Sequence, residues 1–114
     1  MQIAIVGRWD QVRPGRGKEA ADVVGRWFAL MERLQSEGVI ASSANYADIQ
    51  GQGGLGIVHL EDSALFRVLQ DAEWVQLTSE MELVLNLRWG LHYQANEEWL
   101  PLLEEWGKTA TTLA

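Results

Sequence analysis

The sequence contains no cysteine and few basic residues, and each of these absences excludes a class of protein. Without cysteine, the chain can form neither disulfides nor thiolate metal sites. Nine Lys and Arg against sixteen Asp and Glu give a net charge of −7. Nucleic acids and anionic membrane surfaces require a basic footprint, so we expect neither as the main partner. High solubility explains the acidic balance equally well.

The chain also lacks a long apolar run. No stretch approaches the roughly 18 apolar residues of a membrane-spanning helix. The first residues, Met1 to Gly7, are apolar but lack the basic segment that opens a secretory signal peptide. A cytoplasmic location is therefore the expectation.

The stretch from Gly53 to Arg88 organises the remaining sequence, because its patterns predict a strand, a helix and a second strand. Asp71 and Ala72 predict an irregularity within the helix. The alternating apolar residues after Glu80 predict a strand with one apolar face. The predicted elements, in order, are strand 2–9, helix 19–37, strand 39–50, strand 53–61, helix 64–78, strand 80–88 and a C-terminal helix that Gly107 ends.

This order, βαββαβ followed by one more helix, is typical of the ferredoxin-like α+β fold. Residues 1–89 would form the core and residues 90–114 the extra helix and tail of one domain. Both core helices would cover one face of a four-stranded antiparallel sheet. The other face would present Val6, Ile57 and Val84, which are too apolar to leave in water. We therefore expect a homodimer formed through this open face.

About half of the chain is similar to a known superfamily. Residues 32–88 contain Glu-Arg-Leu-Gln-Ser-Glu-Gly, a strand with Asn45-Tyr46, then Gly-Ile-Val-His-Leu-Glu-Asp-Ser-Ala-Leu-Phe-Arg-Val-Leu, Trp74 and Met-Glu-Leu-Val-Leu. This layout resembles the dimeric α/β-barrel superfamily, and most closely its muconolactone isomerase-like branch. The superfamily includes isomerases, polyketide cyclases and cofactor-independent or haem-degrading monooxygenases. The resemblance therefore implies a dimeric barrel, and it leaves the reaction open.

Several polar side chains are predicted to meet on the open face of the sheet. The alternation of the strands places His59 and Glu61 there, and the fourth predicted strand adds Glu82, Asn86 and Arg88. Tryptophans at two strand ends would flank the mouth of a cavity. A mostly apolar cavity with a few convergent polar groups is the usual form of a small-molecule site. The candidate ligand-binding residues are Arg8, Trp9, Tyr46, Glu82, Asn86 and Trp89.

His59 is the candidate catalytic residue, because it is one of only two histidines and an imidazole can exchange protons near neutral pH. Asn86 or Arg8 would hold an oxyanion. Two other interpretations of His59 are open: a hydrogen-bonded residue of the dimer interface, and a metal or haem ligand. Arg8 and Glu82 are most simply a cross-strand ion pair. No His, Asp or Glu cluster has metal-ligand spacing, so we assign no metal and no cofactor.

Two functions are compatible with these patterns. The first is a homodimeric barrel enzyme, such as an isomerase, a cyclase or a cofactor-independent monooxygenase, acting on a small, partly apolar, oxygenated molecule by acid–base chemistry. The second is a ligand-binding or dimerisation module without catalysis. The expected partners are therefore a second copy of the chain and a small molecule.

Overall fold

The computed structural model describes residues 1–113, and the side chains of residues 1–110. Two 3-10 turns, Asp62–Ala64 and Glu97–Trp99, precede the second and the last helix. The strands are β1 (Gln2–Val12), β2 (Ser42–Ala47), β3 (Gly54–Glu61) and β4 (Leu85–Tyr93), and the helices are α1 (Gly17–Ser36), α2 (Leu65–Leu69), α3 (Ala72–Val84) and α4 (Leu100–Leu113).

The four strands form one antiparallel sheet in the order β2-β3-β1-β4. The predicted ferredoxin-like α+β fold is confirmed. Ile3 and Ile5 of β1 and Val58 and Leu60 of β3 are buried, as their alternation predicted. They pack against α1 and α3, so both long helices cover the same face of the sheet.

The predicted strand 80–88 is wrong at its start, because α3 continues to Val84. Trp74, Leu77, Met81 and Val84 are all buried at helical spacing, and this series outweighs the alternation that suggested a strand. Leu83 is consequently 67% exposed instead of buried. Val84 packs in the core and does not belong to the open face.

Strand β4 begins at Leu85 and extends to Tyr93, through residues that were predicted as a connection. Leu85 is buried and Leu87 is partly buried against the core, so their predicted face is correct. The predicted irregularity at Asp71–Ala72 is confirmed, because α2 ends at Leu69 and α3 begins at Ala72. Gly107 does not end the last helix. Strand β2 is shorter than predicted.

None of the helices in the described part of the chain combines the length and the apolar character needed to cross a bilayer.

Candidate functional site

A cavity of about 230 Å³ lies between α1 and the sheet. Its walls are mostly aromatic and aliphatic, with Trp27 and Phe28 from α1, Met81 from α3 and Trp89 from β4. Asn45 of β2 lies among them as a polar side chain at the edge of the sheet. We call this space the tryptophan cavity. It lies on the helix side of the sheet, opposite to the face on which the site was predicted.

Two glycines form the floor of the tryptophan cavity. Asn45, Gly56, Gly7 and Trp89 are directly opposite one another in register across all four strands, so they share one face. A Cβ atom on Gly7 would lie 2.7 Å from Cζ3 of Trp89, which means that the indole lies close over the backbone. A Cβ atom on Gly56 would lie 3.0 Å from Oδ1 of Asn45. The close approach of Trp89 and Asn45 to the sheet therefore depends on these residues having no side chain.

Three tryptophans from different elements pack together beside this floor. The ring centroids of Trp27 and Trp74 are 5.2 Å apart, and those of Trp89 lie 6.0 and 5.9 Å from them. The rings are tilted by 45° to 49° to one another, within the range of favourable aromatic pairs. This cluster joins α1, α3 and β4, so it fixes the cavity wall to both helices and to the edge of the sheet.

The amide of Asn45 has a defined orientation. Nε1 of the buried Trp27 donates a hydrogen bond to Oδ1 of Asn45 over 3.1 Å. An indole N–H can only donate, so Oδ1 must face Trp27 and Nδ2 is left as a donor. Within the described residues Nδ2 makes no hydrogen bond of its own. Asn45 thus offers an N–H group at the mouth of an apolar cavity.

An ion pair behind the cluster holds Trp74 in place. Asp71 caps α3 by accepting a hydrogen bond from the backbone N–H of Trp74 over 3.0 Å. Nη2 of Arg33 lies 2.8 Å from both carboxylate oxygens of Asp71. Desolvation alone would raise the pKa of Asp71, but the hydrogen bonds from Arg33 and Trp74 outweigh it and the pKa is lowered. The hydrogen bond to Asp71 is the main cause that raises the pKa of Arg33.

The predicted ligand-binding residues are divided between separate places. Trp9, Tyr46 and Trp89 line the tryptophan cavity. Arg8 and Asn86 lie instead in a groove of about 70 Å³, where Nδ2 of Asn86 donates to Asp10 over 2.7 Å.

The predicted ion pair between Arg8 and Glu82 is wrong. Glu82 stands on helix α3, whereas Arg8 is directly opposite Arg88 of β4. The cause is the same helical extension to Val84 that moves the start of β4.

His59 lies on the open face, away from the tryptophan cavity. Its Nδ1 is 3.3 Å from Oγ of Ser42, and both residues are exposed. His92 shares the same row of the sheet, because both histidines are directly opposite Ala4. The acid–base role of His59 stays a prediction.

Glu61, also on the open face, accepts hydrogen bonds from the N-terminal ammonium over 2.9 Å and from Gln2 over 2.8 Å. The ammonium is the main cause that lowers the pKa of Glu61. In the part of the chain that the structure describes, no group of three or more His, Asp or Glu residues could hold a metal ion.

Sequence reasoning missed four residues of this site: Gly7, Gly56, Asn45 and Trp27. Trp27 is buried, but its N–H has a polar partner at the cavity. The signal that could have indicated the cavity is the pair of glycines inside strands, since such glycines mark places where another group approaches the backbone closely.

No protein-family model and no curated protein sequence matches the chain. Among solved structures, it is similar to Rv0793 from Mycobacterium tuberculosis, with a TM-score of 0.71 and 13% identity over 85% of this chain and 98% of that one. It is also similar to SnoaB, a cofactor-independent oxygenase from Streptomyces nogalater, with a TM-score of 0.66 and 14% identity over 83% and 94%.

A dimeric protein of unknown function and ferredoxin-like fold from Bacteroides fragilis is similar as well, with a TM-score of 0.61 and 9% identity over 82% of this chain and 96% of that one. At these identities the likeness shows the fold. The predicted resemblance to dimeric α/β-barrel proteins is confirmed at that level.

Proposed function

We propose that the tryptophan cavity binds a small, flat, mostly apolar molecule with an oxygen atom that accepts a hydrogen bond. We propose further that the protein oxygenates this molecule with O₂. The observation that carries this proposal is the amide of Asn45. Trp27 occupies its Oδ1, so Nδ2 is available to a ligand at the cavity mouth. A few oriented polar groups in an apolar pocket are what give a small-molecule site its specificity.

The size and walls of the cavity select the ligand class. Drug-sized ligands occupy pockets of roughly 300–1,000 Å³, and this cavity measures about 230 Å³. It therefore suits a molecule of one or two fused rings. Trp27 and Trp89 line the cavity and offer ring faces and edges against which a flat ring can pack.

Oxygenation is the reaction that we assign to this site, supported by the fold shared with a cofactor-independent oxygenase. A phenol can supply all the electrons that O₂ takes up. For 1-naphthol, C₁₀H₈O and O₂ give 1,4-naphthoquinone, C₁₀H₆O₂, and water: one oxygen atom enters the ring and the other leaves as water. A hydrogen bond from Nδ2 of Asn45 would stabilise the phenolate, the form that gives up an electron most readily.

Calorimetric titration with 1-naphthol tests the binding step, and naphthalene is the matched ligand without the acceptor. We expect 1-naphthol to bind at least about tenfold more tightly, a difference of about 1.4 kcal/mol from one hydrogen bond. Asn45→Asp keeps the acceptor for Trp27 but removes the N–H donor, so it should abolish that preference without unfolding the protein. Equal affinity of the unmodified protein for both ligands would contradict the role of Asn45.

Oxygen uptake with the same ligand tests the reaction. We expect consumption of one O₂ per 1-naphthol converted to 1,4-naphthoquinone, followed with an oxygen electrode and by absorbance. Binding without any oxygen uptake would support a ligand-binding module and would overturn the oxygenase assignment for this compound class.

We also propose a homodimer formed through the open face. Ala4, Val6, Leu55 and Ile57 are only partly buried there, and together they form an apolar centre on the bare side of the sheet. A structural neighbour is described as dimeric. Light scattering should give twice the chain mass of 12.8 kDa. The substitution Val6→Glu should halve the measured mass. Val75→Glu is the control, because Val75 is exposed.

A further inference from the structure

The mouth of the tryptophan cavity lies between helix α1 and the edge strand β2. Residues that line the cavity and are also exposed to solvent mark this opening. They are Phe28 of α1 and Asn45, Tyr46 and Ala47 of β2. Met81 and Leu85 line the cavity but are buried, so they belong to its inner end. A ligand therefore passes the side chain of Phe28 on its way in.

The backbone on both sides of this mouth is fixed. Trp27, the neighbour of Phe28, is buried and donates its hydrogen bond to Asn45 across the gap between α1 and β2. Its ring also packs against those of Trp74 and Trp89. Helix α1 cannot move away from β2 without breaking these contacts. Rotation of a side chain is therefore the motion that opens the mouth with the least loss of packing.

The side chain of Phe28 is held much less firmly than that of Trp27. Phe28 is 51% exposed although it is a large apolar residue. The aromatic pairs among the described side chains all join two tryptophans, so no second ring fixes the orientation of Phe28. Exposed side chains change rotamer on the picosecond to nanosecond timescale. The ring of Phe28 can thus change position much faster than a ligand binds.

Helix α1 offers the ring of Phe28 two resting places. Helical side chains point back over the residues three and four positions earlier, which here are Gly25 and Val24. Val24 lines the cavity, so a ring on that side covers the mouth. Gly25 is exposed, and a Cβ atom on it would meet no described atom within 4 Å. The place over Gly25 is therefore vacant, and the ring occupies its closed position beside the cavity.

We propose that Phe28 is the gate of the tryptophan cavity, and that it opens the mouth by turning its ring from Val24 onto Gly25. The inference rests on the ligand site proposed above and adds the residue that sets how fast ligands enter and leave. Because the ring moves faster than a ligand binds, both rate constants are proportional to the fraction of time for which the mouth is open. Glycine weakens a helix interior, so its presence at position 25 fits a function that needs the space.

Stopped-flow mixing with 1-naphthol under nitrogen, followed by tryptophan fluorescence, tests the gate without the reaction. We expect Phe28→Ala to raise the association and dissociation rate constants several-fold. Phe66→Ala is the matched control and should change neither, because Phe66 is the other phenylalanine, is 72% exposed and lies outside the cavity. Gly25→Val places a branched Cβ in the vacant position. It should lower both rate constants by the same factor and leave Kd unchanged, because residue 25 does not line the cavity.

The double variant that combines Phe28→Ala with Gly25→Val separates a gate from an indirect effect on α1. Once the ring is removed, the valine has nothing to obstruct, so the double variant should bind and release 1-naphthol as fast as Phe28→Ala alone. If the slowing by Gly25→Val persists in the double variant, it does not act through Phe28. Unchanged rate constants in Phe28→Ala would also overturn the inference.

Acrylamide quenching of tryptophan fluorescence separates the failure of the gate from that of the ligand site. Acrylamide is small and uncharged, and it reaches Trp27 and Trp89 through the same mouth without the need for 1-naphthol to bind. Phe28→Ala should increase the quenching and Gly25→Val should decrease it, with Phe66→Ala unchanged. If this order holds but 1-naphthol does not bind, the ligand assignment alone is wrong. Equal quenching in the unmodified protein and all variants removes the gate, whether or not 1-naphthol binds.

Discussion

Asp71 provides the sharpest test of how the tryptophan cluster is held together. Its carboxylate caps α3 at the N–H of Trp74 and binds the guanidinium of Arg33. Loss of an N-cap costs about 1 kcal/mol. Hydrogen bonds to charged groups contribute about 1.5–3 kcal/mol. The contribution of the hydrogen bonds between Asp71 and Arg33 must be discounted, because the Arg33 side chain is 36% exposed and retains Glu37 and Glu73 as partners.

We therefore expect Asp71→Ala to lower the free energy of unfolding by about 2–3 kcal/mol in total. Asp71→Asn keeps the cap and loses the charge, so about 1 kcal/mol is expected for it. Glu73→Ala, which removes a more exposed partner of the same arginine, should cost at most about 0.5 kcal/mol. Urea unfolding followed by tryptophan fluorescence measures all three. If Asp71→Ala costs no more than Glu73→Ala, Asp71 does not hold Trp74.

The lowered pKa of Asp71 also predicts how the stability of the protein depends on pH. The pKa of Asp71 is lowered in the folded protein from its ordinary value of 3.8. A lowered pKa means that its contribution to stability is complete above pH 3.8 and is lost as the pH falls through the folded-state value. The stability difference between the unmodified protein and Asp71→Asn should therefore be constant near neutral pH and shrink in acid. A difference that grows on acidification would contradict this sign.

Three further substitutions have defined expected outcomes. Gly56→Val should fill the floor of the tryptophan cavity and abolish calorimetric 1-naphthol binding with little change in circular dichroism; unchanged affinity would place the ligand elsewhere. Gly25→Ala should stabilise α1 by about 1 kcal/mol and raise Tm by about 4 °C, because the new Cβ meets no atom within 4 Å; a fall in Tm would reveal an intermolecular contact there. His59→Ala should leave 1-naphthol affinity unchanged, since its imidazole lies on the open face. Lost oxygen uptake with intact binding would instead support the acid–base role predicted for His59.

The fold could be predicted from the sequence where one face of an element is buried and the other is not. Ile3 and Ile5, and Val58 and Leu60, alternate cleanly with less buried neighbours, and both strands were predicted on the correct face. The prediction was wrong at the junction of α3 and β4, because Met81 fits both a strand with period two and a helix with Trp74 and Leu77. Only packing against α1 decides between the two periods.

The site could not be predicted, because it depends on strand order and register. Gly7, Gly56 and Asn45 become neighbours only when β1 lies between β3 and β4 with one particular pairing. Single glycines and a small asparagine carry no periodic signal of their own. The polar residues of the open face were more conspicuous in the sequence, so the predicted site and the tryptophan cavity lie on opposite sides of the sheet.

Where the ligand sits can be measured directly by determining the crystal structure of the protein soaked with 1-naphthol. We expect the rings to pack against the indoles of Trp27 and Trp89 inside the cavity, with the oxygen about 3 Å from Nδ2 of Asn45. Ligand density on the open face beside His59, with the tryptophan cavity empty, would contradict the assignment of the cavity as the functional site.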